Sequence, residues 1–271
     1  MEMQQLFASF LCCVVLLLQF SLGSHAHETY EKTGPDNVVK TKDYHDDPTL
    51  SVFFKVDDLY LGKKMLIYFA TNDDSNRAYL LSREEVDPIP FSSQKLQYLL
   101  KFFSISDNSP QAKAIETTLK LCELKPIEGE IKFCVTSLES MLDLTRGTFG
   151  TVKPKVLTTK ILSSNHTTFQ WYTFVEKPME IYTPKMLACH TKAYPYLVYY
   201  CHGEKGHSNR VFKIALVGEN GERVDAAAAC HMDTSMWDSD HVAFRVLGGR
   251  PGGSPVCHFL PVDNLIWVAS S

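Results

Sequence analysis

The stretch "LACHTKAYPYLVYYCHGEKG", residues 187–206, carries a Cys-His dipeptide at Cys189-His190 and again at Cys201-His202. Two further copies stand at Cys230-His231 and Cys257-His258, so residues 189–258 read CH-x10-CH-x27-CH-x25-CH. Three of the dipeptides follow or sit within apolar, β-branched and aromatic segments, which read as strand. In a strand, neighbouring side chains point to opposite faces. Each dipeptide then sends a sulfur to one side and an imidazole to the other, and the cysteines and histidines can serve different ends.

Working outward, the segments "TVKPKVLTTKILS", "TTFQWYTFVE", "YPYLVYYCH", "RVFKIALVG", "RVDAAAACHM", "HVAFRVLG" and "NLIWVAS" make the chain from about residue 151 read as an antiparallel β-rich half. Asn220-Gly221 in "IALVGENGERV" is the hairpin signal, because this pair accepts the positive φ angles of a type I′ turn. The earlier half carries helix signals. Ser109-Pro110 is an N-cap and first-turn pair ahead of "QAKAIETTLKLC", and Thr136-Ser137-Leu138-Glu139 forms a capping box. Leu96, Leu99, Leu100 and Phe103 recur at helical spacing. "SVFFKVDDLYLGKKMLIYFA", from residue 51, suggests two short strands around Gly62. The expected fold class is α+β: helices in the first half of the domain, an antiparallel β-rich second half, and disulfides stabilising the whole.

With 271 residues, 45% hydrophobic and 11% aromatic, the chain can build a packed core. Its formal charge of −4 is spread along the chain, and the absence of a basic run argues against a nucleic-acid partner. "MEMQQLFASFLCCVVLLLQFSLGSHA", residues 1–26, reads as a secretory signal peptide, shorter in its apolar core than a bilayer span. No transmembrane segment is expected after its removal. Residues 27–50, polar and charged, read as a flexible leader, and the folded domain is expected over 51–271.

Cleavage would remove Cys12 and Cys13 and leave six cysteines: Cys122, Cys134, Cys189, Cys201, Cys230 and Cys257. An even set in an oxidising compartment favours disulfides, although spacing alone does not choose the pairs. If Cys122 and Cys134 were joined, they would close a short loop between two helices. Asn165-His166-Thr167 is the one glycosylation sequon, at Asn165. A zinc site would draw on C-x2-4-C pairs, which are absent, and the His202/His207 spacing has no cysteine pair to complete it. Two roles therefore stand for His190, His202, His231 and His258: buried donors that fix loops, or a histidine-only site of the kind that favours Cu(II). Asp233, Asp238, Asp240 and His241 form a second polar group that reads first as a solvated loop.

The CH-x10-CH-x27-CH-x25-CH pattern, with the Phe-Phe pair in "FFKVDDLYLGKKM" and the short leader, resembles the plant BURP-domain proteins over residues 51–271. "DDPTLSVFFKVDDLYLGKKMLIYF" is most similar to the seed and embryo type. That resemblance implies passage through the Golgi to protein storage vacuoles or to the cell wall. It also implies a role in seed, pollen or stress biology, with wall or vacuole components as partners. One branch of the family consists of copper-dependent peptide cyclases that crosslink Tyr or Trp side chains. By that resemblance the four histidines are candidate copper ligands and Cys189, Cys201, Cys230 and Cys257 disulfide partners. The region where fused cyclases carry their core peptide reads "ATNDDSNRAYLLSREE", with no Trp and only Tyr79 as acceptor. Trp171, Trp237 and Trp267 lie later, where core packing is expected. Two functions follow: a non-enzymatic secretory or vacuolar protein, or a copper-dependent oxidative cyclase acting on a separate precursor peptide.

Overall fold

The computed structural model describes residues 48–70, 79–163, 166–204 and 209–269. The signal peptide, the leader up to residue 47, the sequon asparagine Asn165 and His207 lie outside the described residues. Thirteen strands are present among them. They are β1 (Phe53–Lys55), β2 (Lys64–Tyr68), β3 (Glu130–Val135), β4 (Pro154–Leu157), β5 (Lys160–Ile161), β6 (Phe169–Phe174), β7 (Met179–Ile181), β8 (Met186–Lys192), β9 (Val198–Glu204), β10 (Asn209–Gly218), β11 (Arg223–His231), β12 (Val256–Phe259) and β13 (Leu265–Ala269). The helices are short: α1 (Arg83–Val86), α2 (Leu96–Phe102), α3 (Pro110–Glu123), α4 (Leu138–Phe149) and α5 (Val242–Leu247).

Two antiparallel sheets organise the domain. The larger runs β1-β12-β11-β10-β6-β2, with β5 beside β11 and β7 beside β10. It curls into a half-barrel. The residues just before β1 touch both its ends, since Val52 accepts from the Phe259 amide and Ser51 from the Tyr68 amide. Its concave face buries Phe54, Ile67, Phe69, Tyr172, Phe174, Ile214, Leu216 and Phe259. The smaller sheet runs β3-β9-β8-β13-β4. One face packs on the outside of the half-barrel, through Met186, Ala188, Ile266 and Val268 against Val211, Ala227 and Ala229. The other face is covered by α4, through Met141 and Phe149. Alanines at 226–229 make this stacking possible, because both faces of β11 are buried and small side chains let the layers approach.

This corrects the α+β expectation: the fold is predominantly β, and the helices do not form a first-half helical region. The reason is long-range pairing. β1, β2 and β3 come from the first half and pair with β12, β6 and β9 from the second, so strand partners far away in sequence claim segments that local signals left isolated. Conversely "HVAFRVLG", expected as a strand, forms α5. His241 caps it by accepting the Ala243 amide on Nδ1 at 3.2 Å, Gly248 ends it at φ +67°, and Ala243 and Phe244 bury one face.

Two smaller registers also differ. The cap of α4 is Ser137 with Ser140 at the third position, one residue later than expected, while Glu139 instead accepts the Arg83 amide at 2.8 Å. The β10–β11 hairpin has a three-residue loop in which Gly218 and Glu222 pair and Gly221 alone takes φ +81°. Asn220 keeps a negative φ, so the turn is type I followed by a left-handed glycine rather than type I′. Ser109 and Pro110 open α3 as the sequence indicates.

Beneath that hairpin Glu222 is a buried carboxylate with a full set of donors. His166 at 2.6 Å and Tyr172 at 3.2 Å reach one oxygen, and the Thr167 amide and Gln170 reach the other. The other ring nitrogen of His166 lies 2.6 Å from the Phe69 carbonyl oxygen. This network ties the sequon loop to β6 and β11.

Candidate metal centre

Strand alternation carries the cysteines and histidines apart. Cys189 and Cys201 lie directly opposite each other on β8 and β9, as do Cys230 and Cys257 on β11 and β12, and each pair forms a disulfide with Cα atoms 3.9 Å apart. The first pair faces the layer under α4 and the second faces the half-barrel interior. A third disulfide, Cys122–Cys134, ties the end of α3 to β3.

Once two Cys-His dipeptides pair cysteine to cysteine on antiparallel strands, their histidines must sit diagonally across the ladder. His190 stands opposite Tyr200, and His202 opposite Ala188. His231 stands opposite Val256, and His258 opposite Ala229. Diagonal neighbours on one face are within reach for ring side chains. The ring centroids are 5.3 Å apart for His190–His202 and 5.5 Å for His231–His258. Both pairs point into the space between the sheets, where His190 meets His258 at 5.4 Å and His202 meets His231 at 5.5 Å. Four imidazoles from four strands and two sheets thus form a closed ring.

The nitrogens are arranged for ligation. Nε2 of His190 lies 3.2 Å from Nε2 of His202. Two imidazole nitrogens bound to one ion at about 2.0–2.1 Å stand roughly 2.9–3.3 Å apart for angles from square to tetrahedral, so this pair is spaced as adjacent ligands would be. His258 donates Nδ1–H to the Phe259 carbonyl at 3.3 Å, which leaves its Nε2 unprotonated. Nδ1 of His231 is buried without a hydrogen-bond partner, with the Glu204 carboxylate 3.8 Å away.

Among the described residues, no three His, Cys, Asp or Glu side chains already converge to ligand distance. The shortfall is small. A planar square of the observed side places each ring centroid roughly 3.8 Å from a common centre, against roughly 3.2 Å for an imidazole bound through nitrogen. The difference is roughly 0.6 Å per ring, and the donor set, four imidazoles with the neighbouring cysteines tied in disulfides, fits an ion site.

Burial favours the neutral form of three of the rings. Burial, then the neighbouring rings, holds His190 and His202 well below the usual histidine range. Burial first and His231 second push His258 down to about 3, partly offset by the Phe259 carbonyl. Neutral imidazole is the form that binds a metal.

Around the ring lie groups that sequence reasoning did not place at the site. Trp237, expected in the core, packs edge-on to His231 at 5.0 Å and against His241 at 4.5 Å. Tyr200 stacks on His202 at 5.4 Å. The signal for Tyr200, Lys192 and Glu204 was available, because each is two residues from a dipeptide histidine and shares its face. The second polar group does not converge. Asp233 and Asp238 accept the backbone amides of Ser235 and Asp240, while His241 caps α5. Trp171 is 46% exposed on β6, Trp267 packs on β13, and Tyr79 is 74% exposed.

A BURP domain is matched over residues 52–269. The chain is 51% identical to BURP domain protein USPL1 of Arabidopsis thaliana over 246 residues, covering 88% of this chain and 87% of that protein. It is 50% identical to BURP domain-containing protein BNM2A of Brassica napus over 230 residues, 83% and 81% of the two chains. BURP domain protein RD22 of Arabidopsis thaliana is 36% identical over 229 residues, 84% of this chain and 58% of that one. With the domain spanning nearly all described residues and half the positions identical to such relatives, this chain belongs to the family of plant BURP-domain proteins.

Proposed function

We propose that this is a disulfide-stabilised protein of the plant secretory pathway that binds copper through His190, His202, His231 and His258. The observation that carries the reading is the closed ring of four imidazoles, with sides of 5.3–5.5 Å, bridging the two sheets. An all-nitrogen set without free thiolates suits Cu(II) by ligand type. The disulfides withdraw Cys189, Cys201, Cys230 and Cys257 from the ligand set and agree with an oxidising compartment. No helix among the described residues is long and apolar enough to cross a membrane. The signal-peptide reading of residues 1–26 supports secretion, glycosylation at Asn165, and residence in the storage vacuole or wall, with a role in seed, pollen or stress biology.

Bound copper would supply a one-electron redox couple and Lewis acidity. The chain's own part is to hold the four rings. Phe259 fixes the tautomer of His258, and Trp237 covers the His231 edge. The test is titration of metal-free protein with Cu(II), followed by electron paramagnetic resonance. Retention of one nitrogen-ligated copper per chain supports the reading, and failure to retain copper after reconstitution overturns it.

A second reading, favoured by the partial exposure of His190 and His202 at one edge of the ring, is a copper-dependent cyclase acting on Tyr or Trp of a separate precursor peptide. Crosslink formation would remove two hydrogens from the peptide, with dioxygen as the acceptor of their electrons and protons. Loss of that mass from a Tyr- or Trp-containing peptide, dependent on this protein and copper, is the expected result, and an unchanged peptide refutes it.

A further inference from the structure

The face of β9 that carries His202 continues away from the histidine ring. Tyr200 is its next residue on that side, opposite His190 on β8. Lys192 shares the face with His190, two positions on, and Lys132 of β3 stands opposite His202. The two lysines come from the strands on either side of β9. Their ammonium groups lie 5.5 Å (Lys192) and 5.6 Å (Lys132) from the centre of the Tyr200 ring.

Of the carboxylates nearby, Glu130 acts on Lys132, and none pairs with Lys192. Glu130 takes the Tyr200 hydroxyl at 3.4 Å and the Ile127 amide at 3.0 Å, closing its own turn, and Glu204 lies toward His231 at the other end of the cluster. Among the described residues no carboxylate forms an ion pair with Lys192, which is partly buried. A half-buried cation without a counter-charge is unfavourable, and an anion brought by a ligand removes that penalty.

We infer that Lys192 and Lys132, on either side of Tyr200, form a carboxylate-binding subsite beside the four-histidine ring, where a peptide docks through an acidic group. The Tyr200 ring provides the apolar floor and the lysines the charge, so the ligand is a peptide bearing either a free C-terminus or an Asp or Glu side chain. The inference rests on the histidine ring being the place where a ligand acts, and it does not require copper to be bound.

The test is calorimetric or NMR titration of metal-free, disulfide-intact protein with three probes: acetyl-Gly-Gly with a free carboxylate, acetyl-Gly-Glu-amide, and acetyl-Gly-Gln-amide. The neutral probe should bind at least about tenfold more weakly than the better of the two acidic ones, the scale set by charge-assisted hydrogen bonds. Whichever acidic probe is the tighter identifies the source of the carboxylate. Lys192→Gln should weaken that probe by about tenfold, and Lys192→Arg, which keeps the charge and guards against loss of folding, should retain binding. Equal binding of acidic and neutral probes, no binding by any of them, or indifference to Lys192→Gln overturns the subsite. Copper retention by the same preparation is measured separately, so failure of the metal reading and failure of this one are told apart.

Discussion

The two-faced reading of the Cys-His dipeptides is tested by altering the same ladder one residue apart. In Cys189→Ala/Cys201→Ala the disulfide between β8 and β9 is removed. The cysteines are 12 residues apart in sequence, and the loop-entropy relation gives a loss of about 3 kcal/mol. Both sulfurs are fully buried under α4, so no water replaces them. For a domain of this size that loss corresponds to a fall of roughly 6–12 °C in Tm. In His190→Ala/His202→Ala the side chains removed are half-buried on the opposite face. Their deletion leaves the core intact, with an expected stability change within about 1 kcal/mol. Copper affinity should behave the other way round. Removing two of four ligands should cost more than the 10–100-fold typical of losing a supporting residue, so at least about a hundredfold, while the cysteine variant keeps most of its affinity at temperatures where it is folded. Thermal denaturation followed by circular dichroism, alongside competitive Cu(II) titration, reads both quantities. The reasoning is refuted if the cysteine variant loses copper as completely as the histidine variant while keeping its Tm, or if the histidine variant unfolds as readily as the cysteine one.

Three further outcomes are expected. His190, His202 and His258 are held below the unfolded value near 6.5, so below that pH the unfolded chain binds more protons than the folded one. The stability they contribute is complete above about pH 6.5 and is lost on acidification, by about 1.4 kcal/mol per pH unit for each histidine that stays neutral, continuing toward pH 3 for His258. Denaturant midpoints of metal-free protein measured at pH 7.5 and pH 5 should differ accordingly, and equal midpoints contradict the burial argument. Glu222→Ala leaves His166, Gln170, Tyr172 and the Thr167 amide without their shared acceptor and should cost about 3 kcal/mol, read as a lower denaturation midpoint. Gly203→Ala would place a Cβ 2.6 Å from the Met186 carbonyl oxygen, which is backbone, so β8 and β9 must separate. A loss of about 1–3 kcal/mol is expected, and a neutral substitution would show that the ladder yields there.

Some of this arrangement was legible residue by residue. Alternation along "YPYLVYYCH" and "RVDAAAACHM" already placed sulfur and imidazole on opposite faces, because the two-residue period of a strand does not depend on what it packs against. Ser109-Pro110 marked the start of α3 for an equally local reason. "HVAFRVLG" misled because its Val and Phe content matches a strand, whereas a histidine cap, a left-handed Gly248 and burial of Ala243 and Phe244 against β12 favour one and a half turns of helix. The helical stripes of the first half were real in α2, α3 and α4, but they did not reveal that β1, β2 and β3 belong to sheets completed by strands far along the chain.

What the sequence determined by itself is therefore local: most strands of the later half, the Ser109-Pro110 start of α3, and the division of each dipeptide's two chemistries between two faces. Tertiary structure decided which cysteines pair, because pairing depends on β8 meeting β9 and β11 meeting β12 in cysteine-to-cysteine register. It also decided that two histidine pairs on different sheets share one ring, since the small alanines of β11 let the sheets stack closely enough to bring the pairs within 5.5 Å. A strand's period is written in its own residues, whereas the partner it finds across the core depends on the packing of the whole domain.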